Sequence, residues 1–164
     1  MDRLWAPWRM EYIRAPKEEG CIFCDKPGQS ADRDNLILFR GQHSFVIMNL
    51  FPYNNGHLMI VPYQHCSNTH KLDETTFKEI MYLTDRAMGI IEQTMDSQGF
   101  NFGANIGEAA GAGITEHIHF HIVPRWLGDT NVMPVIGQTK VMVQGLHETY
   151  DLLKPEFSRL LGGK

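Results

Sequence analysis

Several things are scarce in this chain. No apolar run among its 164 residues approaches the ~20 that a membrane span needs. Positive charge is not in excess: 15 Lys and Arg stand against 19 Asp and Glu, a net charge of −4. No broad cationic field is expected, which disfavours nucleic acid as a partner. Cysteine is rare and odd in number, three in all, so a framework of disulfides is excluded. The first ten residues, MDRLWAPWRM, are basic but lack the apolar centre of a secretory signal. A cytoplasmic location is the expectation that follows. Repeats and low-complexity linkers are missing too, and the length suits one domain with a real core.

What is present is patterned. Residues 1–19 form an arm carrying Trp5, Trp8 and Tyr12 among arginines. Strands are expected at Leu36–Arg40, Ser44–Asn49, His57–Pro62, Phe100–Asn105 and His117–Val123, the last ended by Pro124. Pro52 and Asn54-Asn55-Gly56 supply turn chemistry between the second and third. Asp73 reads as a helix cap. Phe77, Ile80, Met81, Thr84, Ala87, Met88, Ile91 and Met95 then trace one helical face, stopped at Gly99. A C-terminal helix is expected over Leu146–Leu161, interrupted near Pro155. The order predicts an α+β domain, a mostly antiparallel sheet of about five strands under one long helix. Residues 20–126 would be its core and 127–164 an extension.

Two features carry chemistry. Cys21-Ile22-Phe23-Cys24 has the spacing of a metal-binding or redox pair. Residues 117–126 read HIHFHIVPRW, placing three of the chain's eight histidines on alternate positions. In a strand His117, His119 and His121 would share one face, ~6.6 Å apart, with Ile118, Phe120 and Ile122 turned into the core. Such a row suits a half-exposed polar strand face, a metal, or nucleophilic attack on phosphorus by neutral imidazole. The glycine-rich stretch NIGEAAGAGITE (105–116) runs straight into it. Its Gly107, Gly111 and Gly113 allow backbone N–H groups to turn toward an anion. The pairing points to phosphate chemistry.

These residues resemble the histidine triad (HIT) superfamily. The match lies in His117-Ile118-His119-Phe120-His121-Ile122-Val123 and in Asn49-Leu50-Phe51-Pro52, Gly56-His57-Leu58-Met59-Ile60-Val61-Pro62 and His65. LWAPWRMEYI (4–13) and PRWLGDTNVMPV (124–135) are similar to the prokaryotic branch associated with diadenosine tetraphosphate phosphorylase. The resemblance implies a HIT-like fold and an enzyme that cleaves dinucleoside polyphosphates through a nucleotidyl-histidine. It also leaves open a nucleoside phosphoramidase, a mononucleotide hydrolase or a non-catalytic nucleotide-binding regulator.

By the same resemblance, His119 is the nucleophile and His121 contacts the phosphate or leaving group. Asn49 binds the ribose, Asn105 contacts the phosphates, and the amides of Ala112 and Gly113 stabilise phosphoryl charge. Trp126 is a candidate platform for a second adenine, and Phe23, Ile37 and Leu38 are candidates for a wall around the base. His57 is expected to be structural, a hydrogen-bond partner near the site. Cys21, Cys24, His65 and His117 make a Cys2His2 set for a structural zinc. No organic cofactor is expected. The partners implied are an adenine nucleotide, inorganic phosphate as acceptor, and a second copy in a homodimer. One departure stands out. The branch commonly carries a serine near position 113, and this chain has Ala112-Gly113-Ile114 there.

Overall fold

The computed structural model describes residues 20–129 and 142–160. The aromatic arm with Trp5, Trp8 and Tyr12 lies outside them. Five strands are seen: β1 (Ile37–Arg40), β2 (Ser44–Met48), β3 (Leu58–Pro62), β4 (Gly99–Gly103) and β5 (Phe120–Arg125). They form one sheet in the order β1-β2-β3-β5-β4, with every neighbouring pair antiparallel. Among the described residues three α-helices accompany it: α1 (Ile22–Asp25), α2 (Glu74–Met95) and α3 (Leu146–Arg159). The expected α+β class is what the chain adopts.

β2 and β3 lie in the sheet's interior and are buried at every residue. That explains why SFVIM and LMIVP read as continuous apolar runs rather than alternating ones. α2 starts where Asp73 caps it, the carboxylate accepting the Thr76 N–H at 2.8 Å. Its buried stripe is Thr76, Ile80, Leu83, Thr84, Ala87 and Ile91. Ile80 and Ile91 are wholly buried, each contributing about 1.5–3 kcal/mol. The expected stripe was turned slightly off this one. Phe77 and Met81 are each 41% exposed and flank it, while Leu83 joins it. The helix ends at Met95 with Asp96 in the left-handed region, and Gly99 opens β4 instead of stopping α2.

One carboxylate ties helix to hairpin. Glu79 of α2 accepts the backbone N–H groups of Gln42, His43 and Ser44 and the Ser44 hydroxyl. Four donors at the β1–β2 turn thus converge on one side chain.

Two prolines behave differently from expectation. Pro155 does not interrupt α3, which runs through it. It sits on the exposed side, so the carbonyl it leaves unbonded faces water, while Tyr150, Leu153 and Phe157 keep the inner face continuous. Pro124 does not end β5. β3 stops pairing with β5 at the Leu58–Ile122 step, so beyond it β5 has only β4 beside it. A missing N–H on the other side costs no ladder bond there.

Candidate functional site

The histidine run is not one strand. β5 begins at Phe120, so only His121 stands on the ladder, opposite Met59 of β3 and Gly103 of β4. His117 and His119 lie in the lead-in. The cause is competition for backbone groups. The Ile118 N–H donates to the Cys66 carbonyl at 2.6 Å, and the His117 carbonyl accepts from the His119 ring. The apolar alternates still point inward, with Ile118, Phe120 and Ile122 all buried.

The hydrogen bonds fix which ring nitrogen carries each proton. A carbonyl can only accept, so the 2.9 Å contact between His119 Nδ1 and the His117 carbonyl places the proton on Nδ1. Burial holds the His119 pKa below its ordinary value, favouring the neutral ring. Its Nε2 therefore keeps a lone pair. His121 is the reverse. His57 Nδ1 receives the Tyr53 backbone N–H at 3.0 Å and faces the Asn49 amide nitrogen at 3.4 Å, and both are donors. The His57 proton then sits on Nε2 and is donated to His121 Nδ1 at 3.0 Å. Burial first, then repulsion from its histidine neighbours, drives His57 down to about 3. Burial and His119 drive His121 down to about 4. A neutral His121 bonded at Nδ1 presents Nε2–H. The two rings meet edge to face, centroids 4.9 Å apart. A nucleophilic lone pair and a donor thus stand side by side.

His117 turns away to a second cluster. Its Nε2 donates to the Pro62 carbonyl at 2.9 Å, which leaves the Nδ1 lone pair facing Cys21 Sγ at 3.2 Å and Cys24 Sγ at 3.5 Å. His65 Nδ1 lies 3.3 Å from Cys24 Sγ. One atom from each of Cys21, Cys24, His65 and His117 lies within 4.8 Å of the others. Two thiols and two imidazoles with a carbonyl orienting one ring fit a tetrahedral zinc. Partial desolvation and the neighbouring Cys21 push the Cys24 thiol up to about 11.

The other expected residues divide. A cavity of about 530 Å³ opens beside His121 and is lined by Asn105 and by Tyr53, Asn101 and Arg125, which sequence reasoning passed over. Asn49 reaches the site through His57 and also accepts the Phe51 N–H at 2.9 Å. In the glycine loop, Gly107 and Gly111 take positive φ. The Ala112 N–H turns back to the Gly107 carbonyl at 3.3 Å, so it is spent within the loop, while the Gly113 backbone is exposed. Trp126 does not line the cavity. Its indole N–H donates to the Met95 carbonyl at 3.2 Å, at the end of α2. Phe23, Ile37 and Leu38 are at most 2% exposed and belong to the core, so they form no open wall. Phe23 packs instead on the rings of His117 and His119, at 5.5 and 5.0 Å.

The sequence profile of the HIT domain matches residues 30–126. An AP-4-A phosphorylase of Mycobacterium tuberculosis is 38% identical, across 97% of this chain and 86% of that protein. Among solved structures, a Zn-bound histidine triad family protein from Mycobacterium smegmatis aligns with a TM-score of 0.70 at 22% identity, covering 88% of this chain and 98% of that one. The Plasmodium falciparum diadenosine triphosphate hydrolase aligns with a TM-score of 0.61 at 16% identity, covering 78% of each.

Proposed function

As this chain belongs to the HIT domain family, we propose that it cleaves dinucleoside polyphosphates, with His119 as nucleophile and inorganic phosphate as the acceptor. The observation that carries the reading is the opposed pair of tautomers. The His119 Nε2 lone pair attacks the α-phosphorus, forming an N–P bond as the P–O bond to the leaving nucleotide breaks. The Nδ1–H, held by the His117 carbonyl, stabilises the positive charge that spreads over the ring. His121 Nε2–H donates to the oxygen that leaves. A covalent intermediate splits one hard displacement into two easier ones. Phosphate then attacks the adenylyl-histidine and regenerates His119. Asn105, in the cavity wall beside His121, is assigned to the phosphate chain, and Asn49 to the ribose. Gly113 is the better placed of the two loop amides to meet a phosphoryl oxygen, given the bond that occupies Ala112.

The AP-4-A phosphorylase relative, alike over nearly the whole chain, favours diadenosine tetraphosphate as substrate. Incubation with that compound, with and without inorganic phosphate, followed by nucleotide chromatography, is the test. Phosphorolysis yields ADP and ATP and requires phosphate. AMP and ATP formed regardless of phosphate would mean hydrolysis. No turnover of dinucleotides, with release of AMP from adenosine phosphoramidate, would favour a phosphoramidase.

Zinc is assigned to Cys21, Cys24, His65 and His117, where it would cross-link the α1 segment to the chain before β5. Four protein ligands leave no open position for substrate, so its contribution is structural. A homodimer is part of the same reading. β4 is an edge strand, and Phe102 on it and Phe77 and Met81 on α2 are each about 40% exposed, a surface suited to a second copy.

A further inference from the structure

The cavity beside His121 extends away from His119. It follows β5 toward its C-terminal end, past Val123 to Arg125, and His119 does not line it. Its floor is the sheet face that carries His121, Val123 and Arg125, opposite Gly103, Asn101 and Gly99 of β4. Glycine at position 103 is what opens it. A Cβ built there meets nothing within 4 Å, so the space above the strand is empty. Tyr53 forms a wall, its ring stacked on His57 at 5.0 Å and tilted to His121 at 6.1 Å. Arg125 closes the far end. Asp129 takes its Nε and one Nη2 hydrogen, and the Asn101 side-chain oxygen Oδ1 takes one from Nη1. Of five guanidinium N–H groups, two remain after these bonds, on a side chain locked in place.

We infer that this cavity is the seat of the leaving nucleotide. The inference rests on the nucleophile and donor assignments above and adds the half of the substrate that they do not address. The α-phosphorus lies between His119 Nε2 and His121 Nε2–H. What departs on the His121 side is the second nucleotide, and the cavity begins there. Its polyphosphate leaves past His121 and Asn105, and its nucleoside lies against Tyr53 and Arg125. The volume of about 530 Å³ lies within the range of small-molecule sites. Its lining suits a nucleoside better than a bare anion. Arg125 is already neutralised by Asp129. Asn54 spends its amide hydrogens on the Pro124 carbonyl and Asp129 and keeps its oxygen as an acceptor, while Asn101 accepts from Arg125 and keeps its NH2 as a donor. A phosphoramidase, whose leaving group is a small amine, has no use for such a space.

The test is Val123→Phe, which fills the middle of the cavity from the sheet. It is assayed on diadenosine tetraphosphate and on adenosine phosphoramidate, which shares the His119 step but leaves nothing to seat. The expected result is a loss of roughly tenfold or more in kcat/KM for the dinucleotide, carried mainly by KM, with the phosphoramidate within about twofold of wild type. Gly103→Val repeats the comparison from the opposite strand, should Val123→Phe not fold. Equal effects on the two substrates would overturn the cavity assignment and leave the His119 reading intact. A wild-type protein inert toward both would refute the His119 reading itself, and this inference with it.

Discussion

Replacing His57 with phenylalanine isolates the role of a residue that never touches the reacting phosphorus. His57 is 1% exposed, and its ring stacks on Tyr53 at 5.0 Å. Phenylalanine keeps that packing and removes both ring nitrogens. Two bonds are lost. The Tyr53 N–H loses its acceptor, which costs about 1–3 kcal/mol of stability if nothing replaces it. His121 Nδ1 loses its donor, a bond worth about 0.5–1.5 kcal/mol. If that bond is what keeps the proton on His121 Nε2, kcat should fall by roughly 2- to 10-fold. KM should rise as well, because Asn49, assigned to the ribose, loses its contact with His57 Nδ1. The direct assay is nitrogen-15 NMR of the histidine rings. Wild type should show His121 protonated at Nε2 and bare at Nδ1, and His57→Phe should show a mixture. A wild-type His121 protonated at Nδ1 would refute the tautomer argument, as would an unchanged kcat in a variant whose His121 tautomer has shifted.

Purified protein should contain about one zinc per chain, and Cys21→Ser should lose it and melt at a lower temperature, by metal analysis and calorimetry. A metal-free wild type indifferent to chelator would contradict the Cys2His2 assignment. Acid should destabilise the fold in a defined window. His57 and His121 titrate near 3 and 4 when folded but near 6.5 when unfolded, so the unfolded chain binds protons first. The stability that these rings support is whole above about pH 6.5 and is lost as pH falls through about 4 for His121 and about 3 for His57, several kcal/mol by linkage. His57→Phe should flatten part of that slope in melting curves, and an equal slope in the variant would argue against it. Light scattering at micromolar protein should give a dimer, and a monomer would reject the proposed pairing.

The histidine alternation was legible because three such residues at a period of two, fed by a glycine-rich loop, have few uses. Its geometry was not, since strand periodicity assumes that the ladder wins every backbone group. Here the His119 ring and the Cys66 carbonyl take two of them, and β5 starts three residues late. The long helix was legible from its cap and spacing. The choice between Leu83 and the Phe77–Met81 flank depended on how α2 lies across the sheet, which no local pattern records. Cys21 and His117 are 96 positions apart yet 3.2 Å from each other, so their pairing came from resemblance and not from spacing. The His57 relay hangs on where one backbone N–H of Tyr53 points. The cavity hangs on a glycine opposite His121 on the adjoining strand. Both are properties of register, fixed only once the sheet is assembled.

The central claim is a covalent bond between His119 and the nucleotide. Rapid quenching of the wild-type protein during turnover of diadenosine tetraphosphate, followed by mass spectrometry of its peptides, tests it most directly. The account predicts an adenylyl group on the peptide carrying His119, absent in His119→Ala, whose turnover falls by orders of magnitude while nucleotide still binds. Turnover without that adduct, with His119→Ala keeping more than about a tenth of wild-type rate, a loss of only ~1.4 kcal/mol, would contradict it.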